Sequence, residues 1–378
     1  TLRRFMRRYI IALLPLLFIG CKHQEKMDES RLKVPAGFSI DIFAQAPKAR
    51  MMAFSPGGVL LVTATSDGKV LALPDSKHTG KAEKSVTVLQ DLNAPHGIAF
   101  HNGKLYIAET NQLQRFDWDE SQLHATNGQV IAKYPGSGMH FTRTLLFANG
   151  KMYVSIGSDC NVCDEKDKHR AAVMEYNEDG TGERVFASGL RNSVGLAFNE
   201  KTGTIWATDN ARDWLGDSRP ADEINDLGKT GGNFGWPYCY ANQVLDVTQA
   251  KAGDSRCKNT IAPKVQIEAH SAPLGLAYYN GTLFPSDYKG DLLVALHGSW
   301  NRSRPSGYKV IRVQVGDKGE AQIKEDFVTG WIRPGETRKG VWMGRPVDVI
   351  VGPEGAVYIS DDAAGVVYRV APSKPLSS

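Results

Sequence analysis

Long apolar runs are missing from this 378-residue chain. The stretch Tyr9 to Gly20, YIIALLPLLFIG, falls well under the ~20 residues that span a bilayer, so it is not a transmembrane helix. Cysteine is scarce, with five in all. The pair in CNVC is followed by Asp164 where a haem-attachment motif needs His, which excludes a c-type haem there. No βαβ context surrounds the pair, which argues against a thioredoxin-like redox motif. No long amphipathic helical pattern is present either. Charge of one sign is also lacking. The formal net charge is +4, but Arg3, Arg4, Arg7 and Arg8 fall in the first twenty residues, which hold no acid. Without them the balance is neutral, so the basic pI carries no nucleic-acid or anionic-lipid signal.

What is present begins with that leader. A basic n-region and a short apolar stretch read as a secretory signal over residues 1–20. It ends in LFIGC, which resembles a bacterial lipobox with Cys21 as the acylated residue. Residues 21–33 then read as a lipidated polar tether, 34–373 as the folded unit and 374–378 as a tail. The expected location is the periplasm, with membrane attachment through lipid. Lys22 does not favour inner-membrane retention, so the outer membrane is expected. Cys160, Cys163, Cys239 and Cys257 remain, an even number suited to two disulfides in an oxidising compartment. The local pairings Cys160–Cys163 and Cys239–Cys257 are favoured, although four cysteines allow three connectivities.

The chain repeats itself. MMAFSPGGVLLVTAT, GIAFHNGKLYIAET, TLLFANGKMYVSIGSD, GLAFNEKTGTIWATDN, GLAYYNGTLFPSDYKGDLLVALHGS and VDVIVGPEGAVYISDD share one pattern of apolar run, Gly-containing turn and second β-rich run. The anchors Phe54, Phe100, Phe147, Phe198, Tyr278 and Val351 are spaced by 46, 47, 51, 80 and 73 residues. A unit of ~40–50 residues holds about four strands, the size of a propeller blade. The expected fold is all-β: a six-bladed β-propeller closed by an N-terminal strand, GFSIDIFAQ, which completes the last blade and removes its open edge. The two long spacings predict loop insertions over roughly 211–262 and 297–343.

Hairpin geometry brings residues just before each first strand, and those just after each second strand, to one mouth. His96, His140, Arg191, Asn192 and Arg345 precede first strands; Glu109, Asp159, Asp209, His297, Asp361 and Asp362 end return strands. Taken singly, each has a plain reading as a turn or core residue. Together they surround one concave mouth, the default place for a site. There His140 serves as general base, oriented by Asp159, and Arg191 stabilises a developing anion.

These residues carry a resemblance. HFTRTLLF with YVSIGSD, GLRNSVGLAF, ADEINDLGKTGGNFGWP, HGSWNR and GRPVDVIVGPEGAVYISDD resemble the soluble glucose/sorbosone dehydrogenase family, closest to its aldose sugar and sorbosone branch. These are six-bladed quinoproteins that use pyrroloquinoline quinone (PQQ) with calcium. The resemblance implies that His140 takes the proton from a sugar hydroxyl while hydride passes to the quinone, and that Asp159 orients it. It places Arg191 and Asn192 against the quinone and Arg345 on the cofactor's carboxylates. His96 falls near a cofactor-contacting amide, Arg302 replaces a cofactor-binding lysine, and Trp300 packs on the planar ring. For calcium it implies the main-chain carbonyls of Ala211 and Arg212, with Asp209 or Asp213 adding charge. The implied activity is PQQ- and calcium-dependent oxidation of a small-molecule sugar, with a periplasmic cytochrome or quinone as electron acceptor.

Two other readings stand beside it. A calcium-dependent propeller hydrolase of lactonase type would need no arginine set for a polyanion, so Arg191, Arg302 and Arg345 argue against it. A non-catalytic binding propeller would have no reason to set His140 beside Asp159.

Overall fold

The computed structural model describes residues 23–373. The leader, the lipobox with Cys21 and the 374–378 tail lie outside the described residues. Six four-stranded antiparallel sheets make the body. Blade 1 begins with Ala49–Phe54, blade 2 with Gly97–His101 and blade 3 with Arg143–Ala148. Blades 4, 5 and 6 begin with Leu196–Asn199, Pro273–Tyr278 and Pro346–Val351. These innermost strands touch their neighbours in ring order, the last meeting the first.

The local chemistry explains the hairpins. Asn102–Gly103 and Asn149–Gly150 turn blades 2 and 3 back on themselves, all four with φ between 48° and 73°. Asn and Gly tolerate that left-handed backbone, which matches the twist of paired strands. Middle strands such as Leu60–Ala64 and Leu292–Leu296 are buried at every residue. Each sheet is covered on both faces by its neighbours, so alternation gives way to continuous apolar runs.

Closure occurs as the sequence indicates. Phe38–Gln45 pairs antiparallel with Val366–Pro372 and becomes the outer strand of blade 6. Phe43 lies 5.0 Å from Tyr358, edge to face, inside the cluster joining blades 6 and 1. The two long spacings are not loop throughout. Blade 4's third strand, Asp222–Asp226, interrupts the first, and Lys309–Val315 and Ala321–Val328 of blade 5 interrupt the second. The segments outside the blades include 210–221, 297–308 and 227–264, the last holding a short strand pair, Cys239–Tyr240 with Val244–Leu245. Disulfides Cys160–Cys163 and Cys239–Cys257 are both present. Part of the expected tether also lies on the body: His23–Gln24 pairs with Val341–Trp342, and Glu25 meets Arg31 and Arg333.

Phe43→Ala removes a buried ring from the closing strand and is expected to cost about 3–5 kcal/mol. A guanidinium unfolding midpoint equal to wild type would show that this strand does not hold the ring shut.

Candidate active site

Four residues before the six anchors stand Arg50, His96, Arg143, Val194, Leu274 and Val347. They lie within two residues of the start of the innermost strands, at one end of the channel. Val194, Leu274 and Val347 pack together as an apolar cluster. The other three are polar and joined. His96 Nδ1 lies 3.3 Å from the Arg143 carbonyl, and Nε2 lies 3.4 Å from Arg50 Nη2. A carbonyl only accepts, so Nδ1 carries the proton and Nε2 receives the Arg50 N–H. Burial, reinforced by the Arg50 charge, holds His96 well below the usual imidazole range.

Over this ring opens a cavity of about 610 Å³. His140, Arg191, Asn192 and Arg345 line it, as the repeat geometry indicated, and Arg50, His270 and His297 join them. His140 Nδ1 donates to the Ser158 carbonyl at 2.9 Å, with Ser158 Oγ at 3.1 Å. That bond leaves the Nε2 lone pair without a partner among the described residues. Burial, then the nearby Arg191 charge, brings His140 down to about 3, so the ring is neutral at ordinary pH.

The arginines are held differently. Arg191 is 4% exposed and all five of its N–H groups are engaged. Nε donates to the Asn161 carbonyl at 3.0 Å, and Nη1 to the Asn210 and Ala211 carbonyls at 3.1 and 3.0 Å. Nη2 donates to Asn161 Oδ1 and Asp213 Oδ2 at 3.0 and 2.9 Å. Arg345 donates to the His297 and Gly298 carbonyls at 3.0 and 2.6 Å. Arg50 pairs with Asp362 at 2.8 Å, and the same carboxylate accepts from His297 at 2.9 Å. Burial opposes ionisation of Asp362, but His297 and Arg50 together hold it far below the carboxylate range.

Several expected placements differ. Asp159 does not orient His140: the Ser158 carbonyl does, and Asp159 is exposed, its backbone amide donating to Glu165. The residue next to the carboxylate in sequence already points its carbonyl at the ring. His96 is not among the cavity-lining residues; fully buried, it braces Arg50 instead. Arg302 turns away to Glu268 and the Ala269 carbonyl. Trp300 lies at the mouth, 60% exposed, edge to face with Trp214 at 5.4 Å. Asp209 accepts the amides of Arg191 and Asn192, fixing the turn that carries them. Arg212 pairs with Asp246 at 2.6 Å.

Sequence reasoning missed Arg50, Asn161 and Asn301. The offset that singled out His96 selects Arg50 in the first unit when applied to every anchor. Asn161 sits inside the CNVC loop, whose spacing signals only its cysteines.

The sequence model of the TrAA12-like family matches residues 32–373. The chain belongs to that family. Its six-bladed propeller is the fold of the solved structures it resembles. An uncharacterized protein of Borreliella burgdorferi is 32% identical over 361 residues, covering 90% of this chain and 91% of that one. A pyrroloquinoline quinone-dependent pyranose dehydrogenase of Coprinopsis cinerea is 27% identical over 356 residues. That alignment covers 77% of this chain and 48% of the Coprinopsis protein. The holo PQQ domain of pyranose dehydrogenase from Coprinopsis cinerea superposes with a TM-score of 0.76 at 23% identity, over 92% of this chain and 98% of that one.

For a TrAA12-like cavity the two implied groups fare differently. PQQ is a planar polyanion, and the residues fit it. Arg50, Asn192 and Arg345 line the cavity, and Arg345 Nη1 makes no hydrogen bond among the described residues. Arg50 and Arg345 would hold carboxylates, with Asn192 alongside. Calcium does not fit beside Arg191. The Ala211 carbonyl assigned to it accepts from Arg191, and the oxygens of Asp213 accept from Arg191 and Asn301. The Asp209 oxygens are taken by backbone amides.

Two outcomes test this geometry. An unfolded histidine protonates near 6.5, so as pH falls the unfolded chain takes up the proton first and His140 weakens the fold until about pH 3. In the ligand-free protein the His140 ring NMR shifts should therefore stay constant down to about pH 4.5; an inflection near 6.5 would contradict the buried neutral ring. Asn161→Ala strands one Arg191 N–H and the Asp213 amide, and should cost about 1–3 kcal/mol in chemical unfolding.

Proposed function

We propose that this protein is a PQQ-dependent sugar dehydrogenase with His140 as general base. The observation that carries the reading is the His140 tautomer: Nδ1 is spent on the Ser158 carbonyl, leaving a basic Nε2 in a cavity walled by Arg50, Arg191 and Arg345. PQQ, when bound, supplies the two-electron acceptor for oxidation of the sugar. The chain's residues supply position and charge. Arg50 and Arg345 offer carboxylates their positive charge and the N–H groups not used by the protein. His140 Nε2 takes the hydroxyl proton, and the Ser158 carbonyl steadies the imidazolium that forms. Arg191, pinned by its five bonds, offers a fixed positive charge to the oxygen as it loses that proton.

A base near 3 is a weak one at neutral pH. An anionic ligand beside Arg191 offsets the part of the depression that comes from the Arg191 charge, while burial, the larger cause, remains. Trp214 and Trp300 present apolar faces at the mouth, suited to the carbon face of an aldose or sorbosone-like substrate. The basic leader and the lipobox at Cys21 support work in the periplasm from an outer-membrane lipid anchor, with a cytochrome or quinone receiving the electrons.

The test is reconstitution of the chain lacking its leader with PQQ, followed by dye reduction across aldoses and sorbosone. His140→Ala should lower kcat/KM by about 100-fold or more while PQQ affinity stays near wild type. Full turnover in that variant would remove His140 from the chemistry; no PQQ binding in wild type would remove the dehydrogenase reading.

A further inference from the structure

The shell around Arg191 has the composition of a cation cage. Three main-chain carbonyls (Asn161, Asn210, Ala211), one side-chain amide oxygen (Asn161) and one carboxylate (Asp213) converge on the guanidinium at 2.9–3.1 Å. Carbonyl, amide and carboxylate oxygens are the donors that hard cations take.

The shell is itself held in place. The Asp213 amide donates to Asn161 Oδ1 at 2.8 Å, and the Ala211 amide to Asp222 Oδ1 at 2.9 Å. Asn301 Nδ2 donates to the second Asp213 oxygen at 2.5 Å. The Cys160–Cys163 disulfide brackets Asn161, which supplies two of the five oxygens.

We propose that the Arg191 guanidinium is the resident cation of the quinone cavity, so that cofactor binding by this chain requires no divalent metal. The inference rests on the quinone reading of the cavity. Arg191 donates no free N–H to a ligand, because all five are spent on the protein. What it delivers to the cavity is positive charge at a fixed point, which is what a bound metal delivers. The charge count agrees. One carboxylate, Asp213, touches one guanidinium. A divalent ion added beside it would compete for the same lone pairs.

The experiment uses the full chain after chelation. PQQ is titrated in excess EDTA and in millimolar calcium chloride, read by quenching of tryptophan fluorescence; calcium chloride alone is titrated by calorimetry. Wild type should bind PQQ with the same Kd in both media, within about twofold, and should show no calcium dependent on Asp213. Arg191→Met empties the cage. It should lose PQQ affinity at least about tenfold in EDTA, regain it with calcium, and bind calcium on its own. A tenfold or larger loss of wild-type PQQ affinity in EDTA would overturn the proposal. So would a wild-type calcium ion that Asp213→Asn abolishes. If Arg191→Met does not fold, the wild-type titrations decide alone. If PQQ binds in no medium, the dehydrogenase reading falls, and the calorimetric titration still decides whether the cage takes calcium.

Discussion

Buried guanidinium groups at one end of the channel constrain everything around them. Arg50, Arg143 and Arg191 are 8%, 0% and 4% exposed. Taking such a charge out of water costs several kcal/mol unless hydrogen bonds replace the solvent. Most of the replacement here comes from backbone. Arg143 donates to the carbonyls of Pro135, His140 and Thr142, and Arg345 to those of His297 and Gly298. Regular strands spend their carbonyls on neighbouring strands. Irregular segments at the ends of strands are therefore required to turn carbonyls inward, and the longest of them belong to blades 4 and 5. The Arg143 bond to the His140 carbonyl shows the coupling: satisfying a buried charge also fixes the backbone of the proposed base.

The histidines follow from the same constraint. Burial, followed by the field of a neighbouring guanidinium, depresses His96, His140 and His297 alike. These three imidazoles are consequently neutral at physiological pH, and the charges that depress them are those of Arg50, Arg191 and Arg345. The imidazoles act as neutral acceptors or donors: His96 accepts from Arg50, His297 donates to Asp362, and His140 keeps a lone pair for a ligand.

The fold was legible because its determinants are local and repeated. A Gly-containing turn between two β-rich runs specifies a hairpin without reference to the rest of the chain, and six copies specify a ring. The same offset arithmetic found His140, Arg191, Asn192 and Arg345. It failed where contact depends on side-chain direction. Asp159 has the sequence position of an orienter, yet the strand end places the preceding carbonyl, not the carboxylate, against the imidazole. Arg302 precedes a turn that carries it to Glu268. The segments 210–221 and 297–308 have no repeat to register them, so no offset fixes where Arg212 or Arg302 points. Asn161 was hidden differently: a disulfide loop reads as a staple, and nothing in CNVC states that the residue it staples will clamp an arginine.

The ring four residues before the anchors divides the channel end in two. Blades 1 to 3 contribute Arg50, His96 and Arg143; blades 4 to 6 contribute Val194, Leu274 and Val347. Arg50 from the first set and Val194 and Leu274 from the second all reach the cavity. Its base is thus apolar on one side and cationic on the other. A small hydrophilic ligand would leave the valine and leucine surface wet, and a purely apolar one would leave the Arg50 charge unanswered. A flat aromatic body with an anionic edge satisfies both halves at once. Exposed aromatic surface lies higher up, at Trp214 and Trp300. The vertical order of the cavity therefore follows from two features of unlike origin: a repeat that sets the base, and irregular loops that set the mouth.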